Sequence, residues 1–146
     1  MKMILTSIII VFSMLSGCAA LPLDTSMRQE FDQMPHKYSQ YDFKLAWNQK
    51  VAEDAVTVDG IAWNIRWNYA DGLDIWISLI GQDGKVLAKE VYLIPGRLNM
   101  QEKAYFSVKL KAKPQSGSKL LFTYRYNGIE DPDCCGLMMQ SFESKL

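Results

Sequence analysis

From Tyr41 to Tyr126 apolar and polar residues alternate with a period of two, and this pattern limits the folds open to the chain more than any other feature. Tyr41, Phe43, Leu45 and Trp47 alternate with Asp42, Lys44 and Ala46. A polar loop over 48–54 follows. Val56 and Val58 then lead into Ile61, Trp63, Ile65, Trp67 and Tyr69. The apolar set switches from even to odd positions at Asp59-Gly60. A one-residue slip turns every side chain to the other face, so the pattern predicts a bulge or bend at Gly60. It also places Asn64, Arg66 and Asn68 on the solvent side of that strand. Asp71-Gly72 reads as a turn, and Leu73, Ile75, Ile77 and Leu79 as the next strand. Asp83-Gly84 is the strongest hairpin signal, because a tight turn needs the positive φ that Gly supplies. Val86–Ile94, Ala104–Leu110 and Lys119–Tyr126 complete the set, separated by Pro95-Gly96 and a Pro/Gly/Ser loop over 113–118.

Six to seven short strands with no long helical pattern predict an all-β fold, a small antiparallel immunoglobulin-like β-sandwich. Its domain spans 41–146 and ends in an irregular tail carrying two adjacent cysteines. Ahead of it, residues 18–40 read as a tether. Asp24-Thr25-Ser26 supplies a helix N-cap cluster, Met27, Phe31 and Met34 follow at helical spacing, and Pro35 ends the run. A helix this short is marginal alone, so docking on the domain and staying loose are both open.

The first 17 residues do not belong to the fold. Lys2, the apolar run Ile4–Phe12 and the small residues before Cys18 form an export signal. The run is interrupted too soon by Ser13, Ser16 and Gly17 for a comfortable membrane span. Leu15-Ser16-Gly17-Cys18 resembles the lipobox of bacterial lipoproteins; an ordinary signal peptide with a chance cysteine is the alternative. The resemblance implies that Cys18 is diacylated, becomes the new N-terminus and is acylated again. It also implies sorting, since an aspartate after the cysteine tends to retain a lipoprotein in the inner membrane. Ala19 stands there, so the expected place is the periplasmic face of the outer membrane, with the chain bound to the membrane through its lipid. Two acyl chains already anchor stably.

Charge excludes some partners. The chain has 16 basic and 16 acidic residues and one histidine. A balanced sequence gives no electrostatic footprint for nucleic acid and no polybasic run for anionic lipid.

Val56-Thr57-Val58-Asp59-Gly60 with Asn64, then Gln82-Asp83-Gly84-Lys85-Val86, then Phe106-Ser107-Val108, occur in an order similar to that of bacterial envelope β-sandwich modules of the FxLYD and immunoglobulin-like type. Asn99-Met100-Gln101-Glu102 departs from the Pro-Gly-Glu turn that such modules often carry. The resemblance implies an accessory or protein-interaction role with an envelope partner.

No enzyme motif announces itself, and the expected class is non-catalytic. His36 lies beside Pro35 in the tether and reads as a solvated loop histidine, a poor member of any nucleophilic unit. Glu53/Asp54 and Glu130/Asp131 read as solvated charges. The one unusual cluster is Cys134, Cys135, Met138 and Met139. With Cys18 lipidated, two thiols remain in an oxidising compartment. Adjacent Cα atoms lie about 3.8 Å apart, below the usual disulfide span of about 4.4–6.8 Å, so a bond between them is strained. Packing, an interchain or redox-active disulfide, and a soft Cu(I) site built from the four sulfurs all stay open; apart from copper, no cofactor is expected. The tryptophans read mainly as core. Trp76 faces away from the Leu73/Ile75/Ile77 set, and if exposed it would mark a carbohydrate or peptidoglycan platform.

Overall fold

The computed structural model describes residues 23–131 and 134–146. It holds one helix, α1 (Leu23–Gln33), and nine strands: β1 (His36–Ser39), β2 (Phe43–Val51), β3 (Val56–Asn64), β4 (Tyr69–Ile80), β5 (Val86–Leu93), β6 (Arg97–Asn99), β7 (Lys103–Leu110), β8 (Lys119–Asp131) and β9 (Cys134–Lys145). Sheet A has the order β1-β2-β3-β7, and sheet B has β5-β4-β8-β9 with β6 beside the start of β4. Every pairing is antiparallel. The chain crosses between sheets after β3, after β6 and after β7, which gives the immunoglobulin-like sandwich expected from the alternation.

The strand count exceeds the expected six to seven for physical reasons. His36–Ser39, read as tether, pairs with Trp47–Lys44 and forms the edge of sheet A. The C-terminal segment is not irregular: Cys134–Lys145 runs as a full strand against β8. The adjacent apolar residues Met138 and Met139 hide its period of two in the sequence.

The core lies between the sheets. Phe43, Leu45, Trp47, Val56, Val58, Leu73, Ile75, Ile77, Leu79, Phe106, Phe122, Tyr124 and Tyr126 are buried there. Gly60 does not bulge. The β2–β3 register runs unbroken from Val51↔Val56 to Phe43↔Asn64. The apolar set switches because both faces of β3 are covered at that point: Ile61 and Trp63 face outward and are capped by Phe31 of α1 and by Met34 just beyond its end. The rings of Phe31 and Trp63 meet edge to face at 5.5 Å, so the helix docks. Gly60 serves a close approach instead. A Cβ there would lie 2.3 Å from Phe106 Cζ and 2.6 Å from the carbonyl oxygen of Ala46.

The strand read through to Tyr69 stops at Asn64, whose amide directs the crossover. Asn64 is fully buried, not on the solvent side. Its Nδ2 donates to the carbonyls of Trp67 and Leu98, both at 2.9 Å, and its Oδ1 accepts from the backbone N–H groups of Arg66 and Trp67. Asp71-Gly72 is likewise no turn: it is a register break within β4, with Gly72 at φ 62°.

Candidate functional site

One edge of the sandwich is open. Sheet A ends there in the four-residue β1, and sheet B in the twelve-residue β9. Along β9 the side chains alternate. Met138 and Phe142 face inward onto the core. Leu137 and Met139 face out and are 67% and 65% exposed. From Cys134 to Phe142 the strand carries no charged residue and no proline, so it lacks the devices that commonly blunt a sheet edge. Among the described residues β9 pairs with β8 and with no other strand.

The far end of β9 is held against sheet A. Phe142 stacks on Tyr38 with ring centroids 3.6 Å apart, and Gln49 Nε2 donates to the carbonyl of Lys145 at 3.2 Å. Glu143 pairs with Lys119 at 2.7 Å. Between β1 and β9 lies a cavity of about 290 Å³, lined by Pro35, His36, Tyr38, Trp47, Phe142 and Ser144 among others. His36 is therefore not a free loop residue. It points inward from β1, half-buried, and stacks on Trp47 at 5.5 Å.

Beneath this edge sits a polar group that the alternation did not reveal. Asp42 is completely buried. Its Oδ1 accepts from its neighbour's N–H at Phe43 (2.9 Å) and from the Tyr124 hydroxyl (3.1 Å); Oδ2 accepts from the Tyr126 hydroxyl (2.5 Å). The Trp67 indole N–H donates to Tyr126 in turn, at 2.8 Å. Burial, followed by the charge of Asp42, holds Tyr124 far above the usual phenol range. Burial and then the hydrogen bond to Asp42 do the same for Tyr126. A carboxylate with three donors in a dry core fixes the two sheets against each other. The only trace in the sequence was an acid inside an otherwise apolar strand opening.

Cys18 lies outside the described residues. Cys134 and Cys135 stand in β9 opposite Asp131 and Ile129, across a register shift; their side chains lie outside the description. Met138 and Met139 occupy opposite faces of β9, so both cannot join one sulfur-ligated centre. Among the described residues no group of three or more His, Cys, Asp or Glu side chains gathers as a metal site would need. Trp76 is half-buried on the outer face of sheet B, with the Lys89 ammonium 4.7 Å from its ring centre. Trp63, Trp67 and Tyr69 do not share a face: Trp63 lies under α1, Trp67 packs over Gly128 in the core, and Tyr69 opens β4. Glu53 and Asp54 are exposed, and Glu130 pairs with Arg66 at 3.0 Å.

No protein-family model matches the chain, and no curated protein matches it in sequence. Among solved structures it is similar to a protein from Archaeoglobus fulgidus (14% identity, 75% of this chain and 94% of that one, TM-score 0.38). It is similar to the GAE domain of GGA2p from Saccharomyces cerevisiae (9% identity, 75% and 96%, TM-score 0.44). It also resembles part of β-glucuronidase 2 from Bacteroides uniformis (14% identity, TM-score 0.41), covering 71% of this chain and 13% of that one. At such identities and TM-scores the likeness says nothing of ligand or activity.

Proposed function

We propose that this chain is a non-catalytic, lipid-anchored module of the bacterial cell envelope that binds protein by strand pairing at the free edge of β9. The observation that carries the reading is that edge: an uncharged stretch of nine residues with Leu137 and Met139 standing out of it. Strand addition uses such an edge, main-chain hydrogen bonds supplying affinity and alternate side chains supplying choice. The anchor rests on Leu15–Cys18, and the periplasmic face of the outer membrane on Ala19.

Two measurements test it. The N-terminal peptide of protein purified from the membrane of a Gram-negative host should begin at Cys18 and carry three acyl chains; a Cys18→Ser variant should leave the membrane. An unmodified N-terminal Cys18 or an uncleaved signal would refute the anchor. Hydrogen exchange of the membrane-bound protein should show slow exchange at the edge-facing amides over 136–141. Fast exchange there in the cell envelope would refute strand pairing.

A further inference from the structure

The edge of β9 fits a copy of itself. We infer that two copies of this chain pair antiparallel through β9, about a two-fold axis at Met138, into one continuous ten-strand sheet. This deepens the strand-pairing reading by naming its partner.

The register follows from the sequence. The uncharged run Cys134–Phe142 is nine residues long with Met138 at its centre. Antiparallel pairing of that run with itself puts Cys134 opposite Phe142 and Leu137 opposite Met139 of the second copy, twice over. Leu137 and Met139 are the large apolar side chains that β9 leaves exposed, and cross-strand apolar pairs are the unit of sheet stabilisation. Within the run no like charges face each other across the axis, because it holds none. Glu143, the acid just past the run, is already neutralised by Lys119. Such an interface is isologous and closes on itself, which stops growth at two copies.

The geometry also suits a common membrane. The axis of an antiparallel edge pair stands perpendicular to the sheet, so the outer face of sheet A points the same way in both copies. α1 lies on that face. Its first residue, Leu23, is five residues from Cys18, a reach of at most about 17 Å. Both lipid anchors therefore enter one bilayer without twisting either domain. Confinement in that bilayer raises the local concentration of the edges.

Native mass spectrometry of the full acylated protein, released from detergent micelles with reductant present, reads the copy number. A two-copy species is expected, and Met139→Lys should lower its fraction at least tenfold. Met139 is largely exposed, so the variant should keep the circular dichroism and unfolding midpoint of the parent. A monomer at tens of micromolar, or a dimer indifferent to Met139→Lys, overturns the inference. Hydrogen exchange in envelope vesicles separates the levels. Monomer with slow β9 edge amides would mean another protein takes the edge, so the second copy fails and strand pairing stands. Monomer with fast edge amides would sink both.

Discussion

The buried Asp42–Tyr124–Tyr126 group should make this domain unusually sensitive to base. Both phenols are held far above their ordinary value of about 10 by burial and by Asp42. The unfolded chain ionises its tyrosines near that ordinary value. A group whose folded pKa is raised contributes fully below the unfolded pKa and loses that contribution as pH climbs toward the folded one. The window therefore opens near pH 10 and extends upward. Each tyrosine that stays protonated in the fold costs about 1.4 kcal/mol per pH unit there, so the pair gives a slope of about 2.7 kcal/mol per unit. By pH 11.5 the integrated loss is about 4 kcal/mol, comparable with the whole stability of a small domain. Tyr105, also raised, sits on the surface with its hydroxyl donated to Glu30, and solvent screens it. The assay is urea unfolding from pH 8 to 11.5 with phenolate absorbance read in parallel. Two of the seven tyrosines should ionise only on unfolding. Tyr126→Phe should halve the slope, to about 1.4 kcal/mol per unit. Lysine titration is common to both proteins and cancels in the difference. If all tyrosines ionise near pH 10 in the folded state, or if Tyr126→Phe leaves the slope unchanged, the carboxylate does not hold these phenols and the reasoning fails.

Two further substitutions test the packing directly. Gly60→Ala drives a methyl against Phe106 and the Ala46 carbonyl, and should cost about 1–3 kcal/mol by overpacking. Gly136→Ala, with nothing within 4 Å, should shift the thermal midpoint little; equal effects from the two would disprove the contact. Asn64→Ala strips four hydrogen bonds from the crossover between β3 and β4. A loss of about 3 kcal/mol in urea unfolding is expected, since buried backbone groups are left without partners; a loss below about 1 kcal/mol would mean that water replaces the amide.

The sandwich was legible because alternation reports burial on one face, and most of these strands have one buried face. The same logic failed where that premise failed. At Ile61 and Trp63 a helix from 30 residues upstream covers the outer face, and a period-two pattern has no means of recording a second cover. The result looked like a bulge. Polarity alone places Asn64 at the solvent and gives no reason to bury Asp42, yet both are buried because they bind backbone and hydroxyl groups that only the tertiary fold brings near. Along Cys134–Met139, proximity in sequence is not proximity in space. On a strand, neighbours diverge, and Met138 and Met139 do so.

The segment that carries these residues is also the open edge of sheet B. On the other flank of the sandwich β5 and β7 lie close to each other. On sheet A, α1 covers the apolar patch of the outer face and shields it from water. A chain that covers one apolar patch with a helix while leaving Leu137 and Met139 bare on an uncharged nine-residue run has treated the two surfaces differently. An uncovered edge is a hazard in proportion to its length and lack of charge. It persists at little risk if pairing is its ordinary state, and a closed two-fold pair is the arrangement that leaves no second β9 edge for a third strand.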